Sequence, residues 1–207
     1  MNDNLRRLLS DQREFVRARD WEQFHTPKNL AMALGGEVGE LACAIGHLLP
    51  GSPNSAGDKA RSDVVDEFGD VVLYLLRLYD VTGIDPQLRF GVAAEVPPSS
   101  FRPPSTPAEQ LTVARAVFDL TGTAGRLLEA FQWEANSAVT TSQSEPVQGL
   151  TRILHLTAES LCTLGELLGV NVVDAAAAKN TKNGSKYPVE LSRGSIRKYT
   201  ELDSGTQ

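Results

Sequence analysis

Cysteine is scarce in this chain. The two present among 207 residues, Cys43 and Cys162, lie on apolar helical stretches with no metal-type spacing. That excludes a disulfide framework or a zinc-ribbon site and reads as buried free thiols in a reducing compartment. Excess positive charge is also missing: the net charge is −6 and the pI about 5.1, so no nucleic-acid partner is expected and any phosphate binding must be local. No stretch approaches the ~20 apolar residues needed to span a bilayer, and Met1-Asn-Asp-Asn-Leu-Arg-Arg is followed by no long apolar run. A cytoplasmic protein without membrane attachment is the expectation. Period-two alternation is absent as well, which leaves an all-α architecture. What remains is ordinary for a globular protein, 41% hydrophobic and 22% charged.

Apolar positions Leu5, Leu8, Leu9, Phe15 and Val16 predict a first amphipathic helix over residues 4 to about 19. An aromatic cluster, Asp20-Trp-Glu-Gln-Phe-His25, follows. Thr26-Pro27 has the form of an N-cap with proline at the first helical position, opening a helix that ends by Pro50. After a Gly/Ser/Pro loop, a second helix begins at Asp58 or Ser62. Five of the eleven prolines fall between residues 97 and 107, marking a connector. Helical spacing then runs from Ala108 to about Asn136, from Val147 to Leu168, and from Val172 to about Asn180 before a basic tail.

The chemistry concentrates in two pairs of acids, Glu37-Val-Gly-Glu40 and Glu67-Phe-Gly-Asp70, each at i, i+3 and therefore on one helix face. Glu37 falls within the apolar stripe of Leu30, Leu34, Leu41, Ala44 and Leu48. Glu67 and Asp70 interrupt a helix that is apolar nearly all round. A solvated face is the bland reading of any E-x-x-E. Acids interrupting two buried stripes in matched spacing point instead to a shared divalent-cation site, and Mg²⁺ is the hard cation that bridges carboxylates to phosphates. Lys179, Lys182 and Lys186, with Asn183 and Tyr187, offer donors for phosphate oxygens; a solvated basic tail is the alternative. His25 and His155 read as structural or rim residues.

The chain also aligns with itself. Leu34-Gly-Gly-Glu-Val-Gly-Glu-Leu41 matches Leu120-Thr-Gly-Thr-Ala-Gly-Arg-Leu127 at an offset of 86, which carries Gly83-Ile84-Asp85 onto Gly169-Val170-Asn171. We read residues 1–95 as one helical unit, 96–107 as a linker and 108–207 as a degenerate second unit. In it Thr123, Arg126, Ile153 and Leu156 replace the four acids, while Phe131-Gln-Trp133 stands where the first unit has Ile45-Gly-His47.

The four acids, with Arg19-Asp-Trp-Glu-Gln-Phe-His25, Gly36-Glu-Val-Gly-Glu-Leu41 and the run from Lys186 to Tyr199, resemble the MazG-like all-α nucleoside triphosphate pyrophosphohydrolases, and within them the dCTP pyrophosphatase branch. The resemblance implies a four-helix-bundle unit and Mg²⁺-dependent cleavage between the α and β phosphates of a nucleoside triphosphate. Dimers or tetramers sharing their sites are usual there, so a homodimer of fused pseudo-dimers is possible. By the same resemblance Glu37, Glu40, Glu67 and Asp70 are metal ligands; a carboxylate not consumed by metal, Glu40 or Glu37, is the expected proton acceptor. Tyr74, Lys179, Asn183, Lys186 and Tyr187 meet phosphates; Trp21 and Trp133 line the base pocket. Relatives carry a histidine where this chain has Gln12. Because acids and basic tail lie in different copies, one composite site per chain is expected. Rival expectations are another substrate such as dUTP or a damaged nucleotide, a non-catalytic nucleotide sensor, and a plain helical interaction module.

Overall fold

The computed structural model describes residues 3–49, 58–86, 90, 101–132, 145–197 and 199–201. Among these the regular structure is helical throughout: α1 (Asp3–Ala18), a 3-10 turn (Trp21–Gln23), α2 (Pro27–Gly46), α3 (Asp58–Thr82), α4 (Pro107–Phe131), α5 (Glu145–Leu168), α6 (Val172–Lys186), α7 (Val189–Ser192) and a last 3-10 turn (Tyr199–Glu201). Residues 96–100 of the connector and Trp133 lie outside the described residues.

Local chemistry sets these boundaries. The Thr26 hydroxyl accepts from Asn29 N at 3.2 Å, with Pro27 in the first turn where its missing N–H costs nothing. Thr106 and Glu109 form a reciprocal capping box ahead of α4, and those hydrogen bonds hold the Glu109 carboxyl down at about 2. Gly83 (φ 68°) and Gly169 (φ 65°) end α3 and α5 in the left-handed region. At each, the next residue donates back across the last turn, Ile84 N to Tyr79 O at 3.0 Å and Val170 N to Gly165 O at 2.8 Å. Helix α6 starts on the Asn171 side chain, which accepts from Val173 N and Asp174 N at 3.1 and 3.0 Å.

Helix α2 packs against α3 and α4 against α5. The two pairs meet through α2 and α4, and α6 lies along α3. Their apolar stripes merge into one core running from Leu5 to Ala176, with Leu34, Phe68, Val72, Leu127 and Leu161 at most barely exposed. Among the described residues no single helix is long and apolar enough to cross a membrane.

Two expectations need correction. Cys43 is exposed, because it sits about 200° around α2 from Leu41 and so faces away from the stripe; Cys162 is buried. The last long helix continues past Asn180 to Lys186, so the lysine-bearing segment is itself helical. It stops where Pro188 disfavours helical backbone at Tyr187.

Candidate functional site

Oxygen atoms of Glu37 on α2 and of Glu67 and Asp70 on α3 all lie within 4.8 Å of one another. Glu40, one turn further along α2, is exposed and outside this trio, although its charge still acts on Glu37 and Glu67. The trio is poorly solvated. Burial, then the charges of Asp70, Glu40 and Glu67, push the Glu37 carboxyl up to about 7, against the pull of Lys179. Burial also raises Glu67, and Glu67 Oε2 is buried without a hydrogen-bond partner.

Lys179 of α6 answers part of this charge through an ion pair with Asp70, which also accepts from the Asn183 side chain. Burial alone lowers Lys179, but its bond to Asp70 and the charges of Asp70, Asp66 and Glu67 turn the net shift upward. Asp70 is nonetheless raised, burial outweighing both partners, so one lysine does not balance three acids. A further cation is what the donor set fits: hard oxygens, one of them unpartnered, converging on one point.

Close packing fixes α6 in this position. A Cβ at Gly69, between Glu67 and Asp70, would fall 2.6 Å from Lys179 Cβ and 2.8 Å from Ala175 O, so only glycine lets α6 approach α3 so nearly. One turn before Asp70, Asp66 holds Lys182 at 2.5 Å. Sequence reasoning missed Asp66; its i, i+4 spacing to Asp70 was the available signal.

From the acids a pocket of about 590 Å³ extends between α1, α2, α3 and α6. Tyr74, Lys179, Asn183, Lys186 and Tyr187 line it near Asp70, and burial with the neighbouring acids pushes the Tyr74 hydroxyl up to about 12, so it stays a donor. Trp21 packs edge-on against Phe15 and Tyr187, with ring centroids 5.6 and 5.2 Å apart. Its indole N–H donates to Ser192 O and Ser195 O at 3.0 and 2.8 Å. Arg19 Nε donates to Tyr187 O at 2.8 Å, Arg19 O accepts from Gly194 N at 2.8 Å, and Asp20 pairs with Arg193 at 2.7 Å. These bonds strap residues 187–195 over the turn between α1 and α2. Gln12, His25 and Arg77 complete the far end; sequence reasoning left His25 as structural or rim, and nothing in spacing singled out Arg77.

The structure therefore gathers Glu37, Glu67, Asp70, Trp21, Tyr74, Lys179, Asn183, Lys186 and Tyr187 around one pocket, with Glu40 at its rim charge field and Trp133 beyond the described residues.

No protein-family model matches the chain, and no solved structure matches it significantly. Curated proteins do. Over 78 residues the chain is 44% identical to human dCTP pyrophosphatase 1, a stretch that covers 37% of this chain and 44% of that protein. The mouse and bovine proteins of the same name are 44% and 40% identical over 79 residues, with the same coverage. The match thus spans less than half the length of these relatives. Over that stretch the chain is similar to the mammalian dCTP pyrophosphatases.

Proposed function

We propose that the protein is a Mg²⁺-dependent nucleoside triphosphate pyrophosphohydrolase acting on dCTP or a modified dCTP, giving the monophosphate and pyrophosphate. The observation that carries this reading is the convergence of Glu37, Glu67 and Asp70 beside a lysine-bearing helix at the mouth of an aromatic-lined pocket. Glu37, Glu67 and Asp70 would hold a divalent cation, which would supply charge for the phosphate oxygens and acidity for a water. The chain's own residues do the rest. Trp21 and Phe15 hold the base, and Tyr74, Asn183, Lys179 and Lys186 orient the phosphates and stabilise the leaving pyrophosphate. Glu40, outside the trio, is free to accept the proton of the water that attacks the α phosphorus.

The second half supports a fused pair of units with a single composite site. A groove of about 460 Å³ lies between α4 and α5. Adding 86 to Met32, Ala33, Glu37, Asp70, Leu73 and Tyr74 of the first pocket gives Phe118, Asp119, Thr123, Leu156, Glu159 and Ser160, all of which line the second. The caps at Gly83 and Gly169 obey the same offset. The second groove keeps these six wall positions but carries Thr123 and Leu156 where the first has Glu37 and Asp70. We read it as the counterpart site, retired, while α6 serves the first. A second copy of the chain pairing with it as a homodimer stays compatible with this arrangement.

The test is pyrophosphate release from dCTP, dUTP and the ribonucleotides with Mg²⁺, comparing wild type with Glu67→Gln, Glu40→Gln and Lys186→Ala. Loss of both metal binding and turnover in Glu67→Gln, and of turnover alone in Glu40→Gln, is the expected result. Mg²⁺-dependent nucleotide binding without turnover in the wild type replaces the reading with a nucleotide sensor.

A further inference from the structure

Lys179 stands where two cations want the same carboxylate. Its ammonium is ion-paired with Asp70, and its charge acts on Glu37 and Glu67 as well, so it faces all three acids of the candidate cation site. Little water screens the pair: the Lys179 side chain is 8% exposed and that of Asp70 17%. Glu67 Oε2, by contrast, is buried with no hydrogen-bond partner. Glu67 is thus ready for a cation, whereas Asp70 already holds one. An ammonium and a divalent cation on one carboxylate repel each other, and in so dry a site that repulsion is not lost to solvent.

The ammonium has somewhere else to go. Lys179 Cβ and Cγ lie 2.6 and 3.2 Å from where a Cβ on Gly69 would stand, which fixes the base of the side chain against α3. The stem beyond Cγ keeps its rotatable bonds. Lys179 lines the pocket together with Asn183 and Lys186, four and seven residues further along α6 and on the same face. Asn183 also donates to Asp70, so the carboxylate stays oriented when the lysine leaves it. With no anion in the pocket, a displaced ammonium loses a buried ion pair and gains nothing, which opposes cation binding. Phosphate oxygens in the pocket remove that penalty. Lys182, one turn from Lys179, is half exposed and held by Asp66 instead.

We propose that Lys179 competes with the divalent cation for Asp70, and that the transfer of its ammonium to the substrate's phosphates couples cation binding to nucleotide binding. Each ligand then raises the affinity of the other by the same factor. While the pocket is empty the lysine keeps the acids in a state that takes up Mg²⁺ weakly. When the pocket is filled the same ammonium becomes a phosphate contact. This rests on the pocket being a triphosphate site, as proposed above, but it concerns the coupling between two ligands and not the bond that is cleaved.

Calorimetry on the full chain with Mg²⁺ and the α,β-imido analogue of dCTP, each titrated with and without the other, tests it without turnover. In the wild type the analogue is expected to tighten Mg²⁺ binding. Lys179→Met should tighten Mg²⁺ binding to the nucleotide-free protein by ~10-fold or more and shrink the analogue's effect on Mg²⁺ by about the same factor. Lys182→Met, which removes an equal charge one turn away, should change either quantity by ~3-fold at most. An Mg²⁺ affinity unchanged in Lys179→Met, or raised equally in Lys182→Met, overturns the proposal. So does a loss of analogue affinity that is the same with and without Mg²⁺, the mark of a lysine aimed at phosphate throughout. Should Lys179→Met fail to fold, reductive methylation of the wild type with formaldehyde, read by peptide mass, decides. Lys179 is expected to label slowly in the metal-free protein, faster with Mg²⁺ alone and slowly again once the analogue is added; labelling indifferent to Mg²⁺ overturns the proposal. Failure of the hydrolytic reading looks different. Coupling without pyrophosphate release from any natural triphosphate sinks hydrolysis and keeps the exchange, whereas release by the wild type with Mg²⁺ affinity unmoved in Lys179→Met keeps hydrolysis and sinks the exchange.

Discussion

The groove between α2 and α3 and the groove between α4 and α5 share six wall positions at one constant offset, yet they face their surroundings differently. The first holds three convergent carboxylates and is covered by α1, α6 and the strap from residue 187 to 195. The second has Thr123 and Leu156 where the first has Glu37 and Asp70; its acids, Asp119 and Glu159, stand where the first has Ala33 and Leu73, and Phe118 on its wall is 72% exposed. Helix pairing alone therefore builds a trough. Chemistry enters with the acids that break the apolar stripe and with the helix that supplies their counter-charge.

The sharpest way to break that comparison is to remove the acids from one side and the matching residues from the other. Glu67→Gln or Asp70→Asn is expected to lower pyrophosphate release by about 10³-fold or more, in line with losing a metal ligand. Thr123→Ala and Arg126→Ala should stay within about twofold of wild type, measured under the same steady-state conditions.

Next in size is the contrast in glycine packing. Gly69→Ala forces Lys179 and the Ala175 carbonyl away from α3, and we expect a loss of about 1–3 kcal/mol of stability with a larger proportional loss of activity. At Gly122 a Cβ meets nothing within 4 Å, so Gly122→Ala should stabilise α4 by about 0.5–1 kcal/mol and leave turnover alone. Paired denaturation curves and rates distinguish the two.

A pH experiment sharpens the electrostatic half of the contrast. In the metal-free protein Glu37 titrates at about 7 when folded, against an ordinary value of 4.5. Between those values the folded state binds more protons than the unfolded one, so this group makes stability fall as pH rises. Glu37→Gln removes that slope. The stability difference should grow in the variant's favour from about pH 4.5 to 7 and level off above, reaching about 1–2 kcal/mol once solvent screening of a half-exposed group is allowed for. Thr123→Ala, at the matching position, should show no such pH window. The smallest effect belongs to the half-exposed Lys182–Asp66 pair, where Lys182→Ala should cost about 0.5 kcal/mol or less and fade with added salt.

The helices were legible because their stripes repeat every three to four residues and because Thr26-Pro27 and Thr106-Pro107 mark their starts. The acids were legible because Glu37, Glu67 and Asp70 interrupt those stripes. Which acids converge was less so: i, i+3 spacing places Glu40 beside Glu37 on the helix face without saying that it stands at the solvent edge. The length of α6 was hidden for a different reason. Its lysine- and asparagine-rich half is not held by an apolar stripe but by ion pairs to Asp66 and Asp70, more than a hundred residues away in sequence. Gln12 is the extreme case. Its orientation is set by a main-chain carbonyl 61 residues distant, and a main-chain atom leaves no mark on residue identity.

The strap over Trp21 has a consequence for how the protein comes into being. The bonds from Trp21 to Ser192 and Ser195 span 171 and 174 residues, so they close only when nearly all of the described chain is available. On the ribosome, α1 to α3 emerge long before α6, and their acids stand without Lys179 or the wall formed by Tyr187. A nascent chain is thus expected to have no complete pocket until α6 and residues 187–195 have emerged. Contacts of such sequence separation also make final closure the slow phase of folding. Translation itself thus leaves the pocket open-sided until the strap residues have left the ribosome.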